Sequence, residues 1–238
     1  MIAMTDPLDF SVSARGKPEA LPMAHYLGEH FLGVPIRSVF GFREHTKLYG
    51  GRTFRMSEIS EADIRWMYDH DVGYRIPLQS IQATYADYQE SKGFLAKYHR
   101  PGNSVILVRH DLAEWIRQDF PDYEIEASVI HRVRSIDRLP RLSRLFDIIV
   151  LHPAMNDEIE TLAAIADKTR IRLFANAGCL YKCPTMECYK GFSDNNRGKA
   201  VPFSCSQHRF PDYTRQVRFH SFDVNRLVSL GFARVRGE

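Results

Sequence analysis

The stretch Ser104-Val-Ile-Leu-Val-Arg-His-Asp-Leu-Ala-Glu-Trp-Ile-Arg-Gln-Asp-Phe-Pro-Asp-Tyr-Glu-Ile-Glu-Ala-Ser-Val129 decides the fold class. Residues 104–108 form a short aliphatic run, the signature of a buried strand. From Asp111 the pattern changes: Leu112, Ala113, Trp115 and Ile116 follow helical spacing. Residues 124–129 then return to a strand pattern. A strand, a helix and a strand in immediate succession imply parallel pairing with a right-handed crossover.

The same alternation extends in both directions. Strand-like runs occupy 36–40, 73–78, 104–108, 124–129, 147–151, 171–175, 216–220 and 233–236. Helical stretches intervene. Ser60-Glu-Ala-Asp63 offers an N-cap and an acidic first turn, with Ile64, Met67 and Tyr68 on one face. Others open at Asn156, running toward Lys168, and at Asp223, stopped by Gly231. Eight strands alternating with helices predict an α/β fold, a single-domain (β/α)8 TIM-like barrel over 23–238. Residues 1–22, with Pro7, Pro18 and Pro22, read as a flexible N-terminal lead. An open doubly wound sheet is the alternative, but no Gly-x-Gly-x-x-Gly follows the first run, which disfavours a dinucleotide site.

The 238 residues are 44% hydrophobic and 26% charged, enough for one barrel and its core. A net charge of +3 leaves a nucleic-acid partner open without pointing to one. No apolar window is long enough to predict a membrane span. The N-terminal stretch, with Asp6 and Asp9, has no signal-peptide core, so the expected location is cytoplasmic and reducing.

All four cysteines fall between positions 179 and 205: Cys179, Cys183, Cys188 and Cys205, spaced C-x3-C-x4-C-x16-C. In a reducing compartment such clustering points to metal binding before disulfides. Four thiolates suit a 4Fe-4S cluster or a tetrahedral Zn ion. Neither close pair has the C-x2-C spacing of a zinc knuckle, which favours the cluster. Metal-free thiols are the remaining reading. A radical S-adenosylmethionine site would want C-x3-C-x2-C after the first strand, whereas this segment has x4 and follows the sixth run.

Strands of a barrel deliver chemistry at their C-terminal ends. Those ends carry Arg43, Glu44 and His45, then Gln79, Arg109 with His110, His131 with Arg132, His152, Asn176, and finally His220 with Asp223. His152, His220, Asn176 and Arg43 are the foremost candidates for substrate contact. The cysteine loop opens at the same rim, which places a metal centre at the expected working mouth.

The segment Asn176-Ala-Gly-Cys179-Leu-Tyr-Lys-Cys183-Pro184 resembles the N-x-G-C-x-x-x-C-P segment of the collagenase-like peptidase U32 family. Weaker matches follow in order: Ser38-Val-Phe-Gly41 with Gly50-Gly51-Arg52, Phe146-Asp-Ile-Ile-Val-Leu151, and Val217-Arg-Phe-His-Ser-Phe-Asp223 with Leu230-Gly231-Phe232. The resemblance implies a TIM barrel. Through relatives that carry a 4Fe-4S cluster, it also implies oxygen-independent hydroxylase chemistry on RNA bases or a quinone precursor. Cys179, Cys183, Cys188 and Cys205 would then hold the cluster.

The expected function is iron–sulfur redox chemistry on a small or nucleotide-like anionic substrate, served by an electron donor or partner subunit. A non-catalytic scaffold with a structural four-cysteine metal site is the alternative. RNA is a further partner reading, from the arginines at 132, 134, 138, 141 and 144, against a solvated helix face. His208 is a substitute ligand beside Cys205. The turn-rich stretch 190–199 reads as a mobile loop, with Arg197 and Lys199 able to meet an anion. Proteolysis is disfavoured: there is no Gly-x-Ser-x-Gly elbow and no His-Glu-x-x-His.

Overall fold

The computed structural model describes residues 8–31, 33–209 and 218–237. Eight parallel strands close a barrel. They are β1 (Asp9–Ser13), β2 (Ile36–Phe40), β3 (Gly73–Ile76), β4 (Ser104–Leu107), β5 (Glu124–Ala127), β6 (Ile148–Val150), β7 (Ile171–Phe174) and β10 (Arg234–Arg236). β10 closes the ring between β7 and β1. Two short strands, β8 (Asn176–Ala177) and β9 (His220–Ser221), form a separate antiparallel pair.

The helices on the outer face are α1 (Met23–His30), α2 (Glu61–Asp69), α3 (Tyr85–Lys97), α4 (His110–Asp119), α5 (Leu139–Leu142) and α6 (Ile159–Ala163). Ser60 and Asp63 cap α2 reciprocally, as do Thr84 and Asp87 at α3. α6 is much shorter than the expected helix from 156 to 168, because a 3-10 turn, Pro153–Asp157, takes up its start. The segment 132–144 is likewise not one solvated helix: it holds a 3-10 turn, Ile136–Arg138, and the single turn α5. Arg132 there adopts a left-handed conformation that no helix interior accepts.

Two strand assignments differ from the sequence reading. Part of the expected flexible lead, Asp9–Ser13, is the first barrel strand, paired with β2 and β10. Of the expected strand 216–220, residues 216 and 217 lie outside the described residues. His220 pairs with Ala177 off the barrel. The strand count survives because β1 takes the place of that run, and the cysteine segment therefore follows β7.

The reason β1 escapes a hydrophobicity scan is also the main feature of the packing. The apolar core lies between the strands and the helices: Val12, Val39, Tyr74, Val105, Ile125, Ile149 and Leu173 point outward into it. The lumen, usually filled by branched aliphatics in such barrels, here holds ion pairs. Arg75 on β3 and Arg172 on β7 flank Glu126 on β5, and all three are fully buried. Arg75 Nη1 donates to Ser11 Oγ at 2.5 Å, Ser104 Oγ to Glu126 Oε1 at 2.7 Å, and Arg172 Nη2 to Asp9 Oδ2 at 2.9 Å. Satisfying each charge with an opposite partner and hydrogen bonds is what makes such burial tolerable.

Candidate active site

After β7 the chain does not cross directly to the next strand. It builds a cap over the C-terminal mouth of the barrel. The cap contains β8, a 3-10 turn at Cys179–Lys182, α7 (Cys188–Asn196) and α8 (Ser206–Arg209). Leu180, Cys183 and Met186 form a second apolar cluster with Val150, Phe174 and Val129. Val150 and Phe174 are at the ends of β6 and β7, so this cluster closes the top of the charged lumen.

The expected mobile loop at 190–199 is largely helix, because its polar side chains have specific partners. Asn196 Nδ2 donates to the Tyr49 and Arg52 carbonyls at 3.0 and 2.9 Å, and its Oδ1 accepts from Phe54 N–H at 2.7 Å. Ser193 Oγ accepts from Ile81 N–H at 3.1 Å. Arg197 pairs with Asp87 at 2.9 Å and Lys199 with Asp194 at 3.3 Å, so the two cations expected to meet an anion bind the protein itself. The receiving loop after β2 needs Gly50: a Cβ there would sit 2.2 Å from the Gln79 carbonyl.

The four cysteines gather in this cap, all as thiols. Burial first, then the neighbouring thiols of Cys205, Cys183 and Cys179, push the Cys188 thiol up to about 12. Two N–H donors are aimed at the sulfurs, and a hydroxyl shares a hydrogen bond with one of them. Met186 N–H and the Ser206 hydroxyl each lie 3.3 Å from Cys183 Sγ, and Gln207 N–H lies 3.5 Å from Cys205 Sγ. Met186 reaches its position through a left-handed backbone, φ 58°, a conformation costly for a residue with a long side chain. Among the described residues, no three His, Cys, Asp or Glu side chains close around one point as a single ion requires. The donor set itself, all thiol with N–H groups directed at sulfur, fits an iron–sulfur cluster in chemistry. Such bonds stabilise thiolates and tune a cluster's potential.

Three of the four foremost non-cysteine candidates come to the cap. His152 is fully buried beneath the Cys179–Lys182 turn. Arg134 Nη2 lies 3.0 Å from its Nε2, and Ala154 N–H points at Nδ1 from 3.2 Å. Burial, then Arg134 and Arg132, hold its pKa down to about 4, opposed by a bond to the Leu180 backbone. His220 stacks on Tyr181, centroids 4.6 Å apart and planes within 10°. Asn176 pairs with Ser221 in the β8–β9 ribbon. Arg43, in contrast, points to Glu61 of α2 at 3.3 Å.

The other strand-end candidates are mostly engaged in structure. Glu44 bonds Lys97 and Tyr98, His45 the Asn196 carbonyl, Gln79 the Ser128 hydroxyl, and Arg109 the Asp111 carboxylate. Asp223 caps the helix Val224–Ser229. His110 and His131 stack at 5.7 Å, and His131 Nε2 is buried with no hydrogen-bond partner among the described residues. Arg132 reaches the Pro184 carbonyl at 3.4 Å, and His208 meets Phe203 edge-on at 6.0 Å.

Sequence reasoning missed the cleft beside the cap. A cavity of about 690 Å³ opens between the loops after β1 and β2 and the outer face of α7. Arg15, Arg52 and Arg55 line it together with Phe192, Asn195 and Phe203. Arg52 is neutralised by Glu58 and lies over the Phe42 ring at 4.1 Å. Arg15 and Arg55 have no carboxylate partner among the described residues. Phe192 follows Cys188 by one helical turn and Phe203 precedes Cys205 by two residues, which ties the cleft to the cysteines. The signal was present in Arg15 and Arg52–Met56, but only the fold brings those loops to α7.

A barrel with a charged lumen and a cysteine-bearing cap over its C-terminal mouth defines the structural class of this protein. The chain is similar in structure to the U32 peptidase Mk0906, with a TM-score of 0.65 over 97% of this chain and 92% of that one, at 16% sequence identity. The two share the U32 peptidase fold. No family model and no curated protein sequence matches the chain. Among the described residues, no helix is long and apolar enough to cross a membrane.

Proposed function

We propose that this protein is an iron–sulfur redox enzyme, with Cys179, Cys183, Cys188 and Cys205 as cluster ligands. Its substrate is a small or nucleotide-like anion bound in the adjoining cleft. The observation that carries this reading is the placement of all four cysteines in one cap over the barrel mouth, where Cys205, Cys183 and Cys179 act on the Cys188 thiol and N–H donors are directed at two of the sulfurs. A bound cluster would supply electron transfer or activation of an oxygen-bearing group. The chain's own contribution is binding and orientation. Arg15 and Arg55 meet the anionic group, Phe192 and Phe203 offer rings for a flat apolar part, and the cap buries Cys183.

A cysteine-nucleophile peptidase is the weaker reading. Such a thiol needs its pKa lowered beside a base, whereas Cys188 is pushed the other way. The test is anaerobic purification with iron and acid-labile sulfide analysis. About four irons and four sulfides per chain, with a visible absorption band lost on Cys188→Ala, is the expected result. One stoichiometric zinc and no sulfide would overturn it in favour of a structural scaffold whose four cysteines hold zinc.

A further inference from the structure

The opposite mouth of the barrel, where no chemistry has been assigned, holds a second charged cavity. It measures about 330 Å³ and is lined by the starts of β1 to β5, β7 and β10 and the loops preceding β3 and β4, a size at the lower end of small-ligand pockets.

Its charges are unevenly answered. Arg172 and Arg234 are both paired with Asp9, and Arg234 also with Glu124. Arg37 and Arg100 line the same cavity without a carboxylate partner among the described residues. Arg100 Cζ lies over the Tyr68 ring at 4.0 Å from its centroid, a cation–π contact. Among the described residues, Asp71 is the one lining carboxylate outside these ion pairs.

Ser38 lines the same cavity from β2. It is 7% exposed, and its Oγ makes no hydrogen bond among the described residues. A buried hydroxyl without a partner costs free energy unless something fills the position. A donor hydroxyl in a cavity also lined by two guanidiniums with no carboxylate partner among the described residues has the chemistry of an oxyanion site.

We propose that the N-terminal mouth of the barrel binds a small organic anion through a phosphate or carboxylate group, held by Arg37 and Arg100 with the Ser38 hydroxyl donating to it. The site is independent of the cysteine cap and of the redox reading. It lies directly below the Arg75–Glu126–Arg172 cluster, so its occupant adds to the stability of the barrel.

The test is thermal denaturation of the full chain in inorganic phosphate and, separately, in malonate, each against sodium chloride of equal ionic strength. At saturation at least one of the two raises Tm by about 3 °C above the chloride control. Which of them does so identifies the group bound. The double substitution Arg37→Gln with Arg100→Gln weakens the apparent affinity at least tenfold, and Ser38→Ala weakens it by roughly threefold. All titrations are made in the Arg55→Gln background, so that the cleft at the other mouth does not contribute to the response. Both arginines are exposed, and a native circular dichroism spectrum without the anion verifies folding. No saturable shift with either anion overturns the proposal, as does a shift that survives in a folded double variant.

Discussion

Arg75 Nε donates to Glu126 Oε1 at 2.6 Å, joining β3 to β5 through the middle of the barrel. Burial alone would raise the Glu126 pKa, but Arg75 and Arg172 beside it outweigh that and hold it far below the ordinary carboxylate value. Truncating one side of such a pair leaves a buried charge without its partner. Arg75→Met should therefore cost about 3–5 kcal/mol in urea unfolding.

The same carboxylate sets an acid limit. Its native pKa is depressed, so its contribution is complete above the ordinary value of 4.5 and is lost as pH falls below it. Glu126→Gln is expected to flatten the fall of stability below pH 4.5, measured as Tm against pH, even though the variant is less stable at neutrality.

His131 acts at higher pH. Burial first, then His110 and Arg138, lower its pKa from 6.5 to about 4. Between those values the unfolded chain binds a proton that the native one does not, so stability rises with pH through the window. His131→Gln should reduce that slope, by on the order of 2 kcal/mol between pH 4 and 6.5. Urea midpoints at a series of pH values measure it, and an unchanged slope would show that His131 titrates normally.

Asn196 fastens the cap to the loop after β2 through three backbone partners. Asn196→Ala strands those groups and is expected to cost about 2–4 kcal/mol. Limited proteolysis should then cut near the cap before the barrel. Uniform resistance, with Tm unchanged, would show that the cap is held elsewhere.

The cysteines and the cleft should separate in their effects. Alanine at Cys179, Cys183, Cys188 or Cys205 is expected to lower bound iron to below about a quarter of the unsubstituted level, on losing a thiolate ligand. Arg15→Gln and Arg55→Gln should retain the iron and weaken binding of an anionic substrate by roughly tenfold each. Iron content and ligand titration on the same preparations distinguish the two.

Much of the fold was legible because it rests on local periodicity. The aliphatic runs at β4, β6 and β7, the Ser60–Asp63 capping box and the stop at Gly231 follow from residues close in sequence. The strand β1 was hidden because Asp9, Ser11 and Ser13 face a charged lumen and only Phe10 and Val12 face the apolar layer. A strand with polar residues on its buried face looks like a solvated segment. The stretch 190–199 misled for a related reason: Asp194, Asn196 and Arg197 are polar, yet their partners at Lys199, Tyr49 and Asp87 give them fixed places.

The sequence by itself determined the alternation of strands and helices, the gathering of all cysteines in one segment and that segment's position just past a buried strand. These depend on neighbours along the chain, where spacing translates directly into geometry. Only the tertiary structure decided that the lumen is ionic, that α7 docks against the loop after β2, and that arginines with no carboxylate partner among the described residues line a cavity at each mouth. Those features arise where residues far apart in sequence meet across a closed barrel. Whether a charge is answered there depends on distance in space, which periodicity does not encode.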